Sequence, residues 1–139
     1  MGAAVALASG GFTRGFRNNN PGNLKAGTPW KGVIAVDPKG FAIFDTMENG
    51  VRALGKDLSA KMARGVDTVR KILYIYAPPS DNNPTASYVD RVADWMQVDP
   101  DQPLSLAHLP NLVAGIIRFE NGKPLAANVI AAGLRAMNA

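Results

Sequence analysis

The chain of 139 residues is 47% hydrophobic, which is enough for one domain with its own core. It contains no cysteine, which excludes disulfides and thiolate chemistry, and its one histidine, His108, disfavours a Ser-His-Asp triad or a multi-histidine metal site. The net charge of +4 favours polyanionic partners such as nucleic acid, anionic membranes or bacterial wall polymers, without choosing among them. We therefore expect no cofactor and no metal.

The first residues form the apolar run MGAAVALASGG, which lacks a basic region and is too short to cross a bilayer. We interpret residues 1–13 as a disordered start or a remnant of cloning, and residues 14–139 as one catalytic domain. No signal peptide or membrane span is recognisable, so work outside the cytoplasm would require another route of delivery.

The predicted elements begin with two short apolar runs around a turn at residues 37–40, which predict a β-hairpin over residues 33–44. Apolar residues then recur at helical spacing. Asp67 is expected to cap the second helix, and Pro110 to break the fourth. The five helices are placed at residues 47–63, 67–76, 85–97, 105–122 and 124–139. The sequence thus predicts a mainly α (α+β) single domain with a small hairpin near its N-terminus.

The chain has only two glutamates, Glu48 and Glu120. Glu48 falls in the first turn of a predicted helix, where the helix dipole stabilises a carboxylate, so capping accounts for it. Glu120 shares a helix face with Val113, Ile116 and Ile117 and lies at the C-terminal end, so partial burial and the dipole should both raise its pKa toward that of a general acid. The alternative is a glutamate at the rim of the core that pairs with Arg17, Arg52 or Arg118.

Four stretches carry a family resemblance. They are LVAGIIRFENGKP, PGNLK, FAIFDTMENGVRALGKDL and YIYAPPSDNNPTASYVDRV, at residues 112–124, 21–25, 41–58 and 74–92. Together they resemble the motifs of goose-type lysozymes and soluble lytic transglycosylases, in which the glutamate helix comes first. Here the stretch with the glutamate helix comes last of the four, so the resemblance implies a circularly permuted lysozyme-like domain. The chain departs from the family pattern at Ala77, Pro79 and Asn121.

Residues 14–135 also resemble small phage proteins that carry RNNNPGN and YAPP segments and are described as virion components and suspected wall hydrolases. The resemblance therefore implies that the protein acts in a phage virion or is delivered to the bacterial periplasm. Its implied partners are peptidoglycan strands and other virion proteins, and nucleic acid is not among them. We expect the isolated domain to be a monomer.

The resemblance implies cleavage of the β-1,4 bond between N-acetylmuramic acid and N-acetylglucosamine, with Glu120 as the catalytic general acid and base. A lytic transglycosylase needs no second carboxylate, whereas a muramidase that uses water usually does. Asp45 is the candidate second acid, and Asp37 and Asp81 are further candidates, but residues of this type in loops are more often caps or turn residues.

The stretch GFRNNNPGNLKAGTPWKG, residues 15–32, is rich in asparagine. Because N-acetyl sugars are neutral, amide side chains can bind them without burying a charge. We predict that Asn20 and Asn23 bind substrate, with Tyr76 and Tyr88 offering an aromatic face or a hydroxyl. Turn formation is the alternative explanation for the asparagines.

Two other functions remain open at this stage. A virion or baseplate component could keep the fold for wall binding without catalysis. A helical nucleic-acid-binding module is suggested by the pI of 9.6 and by basic residues near the N-terminus, although these are scattered and form no recognition helix.

Overall fold

The computed structural model describes residues 12–138, so most of the segment predicted to be a disordered or cloning-derived start lies outside the described residues. Strands β1 (Val33–Val36) and β2 (Ala42–Phe44) form a two-stranded antiparallel sheet. Within the described range there are six α-helices: α1 (Arg14–Arg17), α2 (Met47–Ala63), α3 (Val69–Tyr76), α4 (Thr85–Met96), α5 (Leu109–Asn121) and α6 (Ala127–Arg135). The predicted mainly α architecture with a small hairpin near the N-terminus is confirmed.

The helices differ from the prediction at several points, and the last is shorter than expected, Ala127–Arg135 rather than 124–139. Thr68 rather than Asp67 caps α3, because the Thr68 hydroxyl accepts a hydrogen bond from the Lys71 backbone N–H at 3.1 Å. Pro110 does not break α5 but lies in its first turn, where a missing N–H leaves no helical bond unmade. Helix α1 was not predicted, since four residues are too few to show a periodic pattern.

The main core lies between the helices, and its central residues are fully buried. It brings together side chains of α2, α3, α4 and α5, and α6 adds Ile130 against them. This apolar packing stabilises the helical body and fixes the direction of α5, the helix that ends just after Glu120.

A second, smaller cluster joins the hairpin to the helices. Leu24, Ala42, Phe44 and Ala53 are buried together, and Ala53 belongs to α2. In contrast, three of the four residues of β1 are exposed, so this strand contributes little to the core. The hairpin is therefore attached mainly through β2.

Candidate functional site

The loop that precedes the hairpin is organised by Asn20, whose side chain is fully buried. Its amide nitrogen donates to the carbonyl oxygens of Leu24 and Ala42, both at 2.9 Å, and its amide oxygen accepts from the Leu24 N–H at 2.9 Å. With these three bonds formed inside the fold, Asn20 cannot reach a ligand. The prediction that Asn20 binds substrate is therefore wrong, and its role is to hold the loop.

Two neighbouring asparagines also bind the protein itself. The amide of Asn18 donates to the Asp37 carboxylate at 3.0 Å, and the amide of Asn19 donates to the Phe44 carbonyl at 3.2 Å. The Asn19 backbone lies so close to α2 that a side chain at Gly50 would collide with its carbonyl oxygen. The loop is thus fixed against both the hairpin and α2.

Asn121 attaches this loop to the end of α5. Its buried amide nitrogen donates to the Pro21 carbonyl at 2.8 Å and to the Ile117 carbonyl at 2.9 Å, and its oxygen accepts from the Thr13 hydroxyl. These contacts hold the helix residue that follows Glu120 against the loop. Sequence reasoning missed this role, because Asn121 was recognised only as a departure from the family pattern.

Glu120 is half-buried at the end of α5 and contacts the loop through Asn23. The Asn23 amide nitrogen donates to the Glu120 carboxyl oxygen Oε1 at 2.7 Å. Burial raises the pKa of Glu120 above its ordinary value, and the hydrogen bond from Asn23 and the nearby Tyr88 hydroxyl only partly oppose this rise. Two predicted site residues, Glu120 and Asn23, therefore lie together.

Two polar atoms beside this carboxyl have unused hydrogen-bonding capacity. Among the described residues, the Asn23 amide oxygen and the Tyr88 hydroxyl are buried without a partner in good hydrogen-bonding geometry. Burial is the largest cause that raises the pKa of Tyr88. The charge of the nearby Glu120 carboxylate raises it further. Buried polar groups of this kind are uncommon away from functional sites.

Tyr88 supports Glu120 from within the protein. Its side chain is fully buried, and its ring stacks on Phe119 with 3.9 Å between ring centroids. The predicted direct contact of Tyr88 with substrate is therefore wrong, because no part of the ring faces the groove described below. Tyr88 instead packs against Phe119, the residue that precedes Glu120 on α5.

The structure also decides against the arginine alternative for Glu120. Arg17 and Arg52 bind backbone carbonyl oxygens at 2.7 and 3.3 Å, and Arg118 stacks over Trp95 at 4.3 Å. Within residues 12–138, no ion pair reaches Glu120. Its carboxyl is therefore not neutralised by a cation.

A groove of about 630 Å³ opens beside Glu120, within the size range of small-ligand sites. One part of its lining comes from the loop and hairpin and includes Asn23 and Trp30, and another comes from the end of α3 and includes Tyr76. The Tyr76 hydroxyl donates to the Gly22 carbonyl, so Tyr76 presents its ring rather than a free hydroxyl. Burial raises the pKa of Tyr76 and, with the Glu120 charge nearby, keeps it protonated.

The candidate second acid, Asp45, does not line this groove. Its exposed carboxylate accepts from the Asn49 amide at 2.9 Å, so the prediction is corrected: Asp45 belongs to the start of α2. Asp57 and Asp81 do line the groove, and Asp57 is paired with Lys61 at 2.6 Å. Asp57 escaped prediction because only its place on the fold directs it toward Glu120.

Between residues 12 and 138, no group of three or more His, Asp or Glu side chains is arranged to hold a metal ion. Over the same residues, no helix is long and apolar enough to cross a membrane.

Comparison with known proteins gives one informative similarity. No protein-family model matches the sequence. The sequence is 32% identical over 116 residues to Protein P5 of Pseudoalteromonas phage PM2, covering 78% of this chain and 71% of the relative. At this identity and coverage, the chain belongs to the family of that phage protein.

Proposed function

We propose that this protein cleaves the glycan strands of peptidoglycan at the β-1,4 bond after N-acetylmuramic acid, with Glu120 as general acid and then as base. The observation that carries the proposal is the Glu120 carboxyl itself. It lines a groove of about 630 Å³, its pKa is raised by burial, and it has no cationic partner within residues 12–138. A carboxyl with a raised pKa holds its proton to higher pH than an ordinary glutamate, so beside a groove it is suited to donate a proton to a bound substrate.

In the first step, the protonated Glu120 carboxyl donates its proton to the glycosidic oxygen as the bond from that oxygen to the anomeric carbon breaks. The sugar acquires oxocarbenium character, and Glu120 becomes a carboxylate. In the second step, the carboxylate removes a proton from the hydroxyl that attacks the anomeric carbon, which restores the starting acid. That hydroxyl belongs either to carbon 6 of the same muramic acid or to water.

The route through the C6 hydroxyl requires no second carboxylate. In this groove Asp57 is paired with Lys61 at 2.6 Å and Asp45 lies elsewhere, so Asp81 is the lining acid that the route through water could use. The neutral amide of Asn23 and the rings of Trp30 and Tyr76 offer surfaces for N-acetyl groups and sugar faces. The proposal therefore covers both a lytic transglycosylase and a muramidase that uses water, and the products of the digest distinguish them.

The proposal includes the resemblance to goose-type lysozymes and lytic transglycosylases in circularly permuted order. A relative from a phage supports a role in which a virus opens the bacterial wall, with the protein in the virion or delivered to the periplasm. Its partners would then be peptidoglycan strands and other virion proteins.

The test is a digest of purified peptidoglycan with the wild-type chain, Glu120→Gln and Glu48→Gln. Glutamine keeps the shape of the side chain but cannot donate the proton, so Glu120→Gln should lower fragment release by at least about a thousandfold. Glu48→Gln is the matched control, because Glu48 is exposed in the first turn of α2, and it should retain activity within about twofold.

Melting temperatures of both variants near that of wild type would show that the effect is chemical. Equal loss in both variants, or in neither, would identify Glu120 as the wrong residue. Mass spectrometry of the products separates the two routes: 1,6-anhydro ends indicate the transglycosylase and reducing ends the hydrolase.

The alternative function is wall binding without cleavage in a virion component. The groove supports this alternative independently of the acid, since Trp30, Tyr76 and Asn23 would still offer contacts to a glycan. A wild-type chain that pellets with peptidoglycan but releases no fragment would favour binding alone.

A further inference from the structure

Three cations line the groove beside Glu120: Arg14, Lys25 and Lys61. The Lys61 ammonium lies 2.6 Å from the Asp57 carboxylate, so its charge is neutralised inside the protein. Across residues 12–138, Arg14 and Lys25 form no side-chain hydrogen bond, and the only ion pair of Arg14 is a long one of 3.7 Å with Asp37. Arg14 and Lys25 therefore have N–H groups that can donate hydrogen bonds to a ligand in the groove.

The Arg14–Asp37 contact is weak for a structural reason. The Asp37 carboxylate already accepts three hydrogen bonds, from the Asn18 amide and from the backbone N–H groups of Lys39 and Phe41, at 2.8 to 3.0 Å. These donors lower the pKa of Asp37, the Phe41 N–H most of all, with a smaller contribution from the Arg14 charge. Arg14 therefore lies near Asp37, while the terminal N–H groups of its guanidinium form no hydrogen bond within residues 12–138.

One aromatic ring positions both cations. The Arg14 guanidinium lies 4.9 Å and the Lys25 ammonium 5.5 Å from the centroid of the Phe41 ring. An isolated backbone bridge pairs Lys25 with Phe41, which fixes the two residues side by side. Phe41 itself also lines the groove. Both cations therefore lie within 5.5 Å of the centre of one ring in the lining of the groove.

We propose that Arg14 and Lys25 form a subsite for a carboxylate carried by the glycan, which makes a carboxylate-bearing strand the preferred substrate. This inference rests on the proposed action on peptidoglycan. A guanidinium with free N–H groups can bind a carboxylate through two parallel hydrogen bonds, and an ammonium in the same groove supplies a further charged donor. Muramic acid supplies such a group either as its own lactyl carboxylate or through the carboxylates of an attached peptide, whereas a strand of N-acetylglucosamine alone has none.

The experiment measures binding with the Glu120→Gln chain, so that cleavage does not interfere. Three fluorescently labelled probes are used: glycan strands with their peptides, strands stripped of peptides so that lactyl carboxylates are free, and N-acetylglucosamine oligomers. Adding Arg14→Gln and Lys25→Gln should weaken binding of at least one carboxylate-bearing probe by about tenfold. Binding of the neutral oligomer should change by less than about twofold.

The matched control removes one arginine and one lysine from exposed positions outside the groove, Arg64→Gln with Lys71→Gln. It lowers the net charge equally, so any effect of overall charge on binding is measured directly. Lys25→Gln alone serves if the double variant is unstable, because Lys25 is exposed and makes no side-chain hydrogen bond within residues 12–138. A loss of about threefold is expected for it.

The two carboxylated probes identify the source. A loss confined to the stripped strands assigns the subsite to the lactyl group, and a loss confined to the peptide-bearing strands assigns it to the peptide. Equal weakening for all three probes, or equal effects of the groove and control variants, would overturn the proposal.

The outcome is separate from the test of catalysis. If the carboxylate selectivity is found and the wild-type chain cleaves nothing, the subsite stands and the proposed enzymatic function fails. If the wild-type chain cleaves peptidoglycan and the groove variant shows no selective loss, only the subsite fails.

Discussion

The loop-hairpin region, residues 13–45, and the helical region, residues 47–135, are held together by different forces. In the helical region a large set of fully buried aliphatic side chains packs between the helices. In the loop-hairpin region only Leu24, Ala42 and Phe44 are buried as an apolar cluster, joined by one residue of α2. Most of its remaining attachments are hydrogen bonds from buried or half-buried asparagines.

This difference explains which asparagines are available for binding. Asn18 and Asn20 are buried and use their amides inside the fold, while Asn23 keeps an unpartnered oxygen beside Glu120. A polar side chain in a loop is therefore structural where a small apolar cluster cannot hold the loop by itself. Asn23 lines the groove and donates to Glu120, so it is the asparagine of this loop that is placed to meet a ligand.

The largest expected effect on stability comes from Asn20→Ala. It removes three buried hydrogen bonds, those to the Leu24 and Ala42 carbonyl oxygens and the one from the Leu24 N–H, and the Leu24 carbonyl keeps only its bond from the Ala42 N–H, so the free energy of unfolding should fall by about 3 kcal/mol. Asn23→Ala removes a single half-buried bond to Glu120 and should cost about 1 kcal/mol. Urea unfolding followed by circular dichroism measures both.

Asn128→Ala, at an exposed position on α6, is the control and should change stability by no more than about 0.5 kcal/mol. If Asn20→Ala were as stable as this control, the loop-hairpin region would not depend on its asparagines, and the contrast between the two regions would be lost.

A smaller effect is expected in the dependence of stability on pH. The pKa of Glu120 is raised in the folded chain, so the folded state binds the proton more tightly than the unfolded state does. Stability therefore falls as pH rises from the ordinary glutamate value of 4.5 through the folded-state pKa, by about 1.4 kcal/mol for each unit of difference. Glu120→Gln has no such proton, so its stability relative to wild type should rise across this interval.

Thermal unfolding of both chains between pH 4 and pH 8 tests this expectation. A stability difference that stays constant with pH, or that changes in favour of wild type as pH rises, would mean that burial does not perturb the carboxyl.

Sequence patterns were sufficient to locate the five longer helices, although not all of their ends. Apolar spacing predicted α2 with the observed bounds, and it placed Glu120 on the apolar face of α5. Sequence patterns did not predict side-chain contacts whose two partners are distant in sequence. The burial of Asn20 depends on the Ala42 carbonyl, and the attachment of Asn121 depends on the Pro21 carbonyl 100 residues away.

Charged residues in the groove lining could not be predicted for the same reason, because their places depend on residues distant in sequence. Asp57 enters the groove only because α2 crosses behind the loop, and the spare donors of Arg14 follow from the hydrogen bonds that Asp37 makes within its own turn. No local pattern distinguishes these residues from other acids and bases on the surface. The groove's lining is therefore a property of the tertiary fold.

The most direct measurement of the central claim is a ¹³C NMR titration of the Glu120 carboxyl. Glutamate labelling gives only two side-chain signals in this chain, and Glu48→Gln identifies the one from Glu120. The account predicts a pKa for Glu120 that is higher in the folded protein than in the same chain unfolded in urea. A folded-state pKa equal to or below the unfolded value would contradict it, because the groove would then hold a carboxylate with no proton to donate.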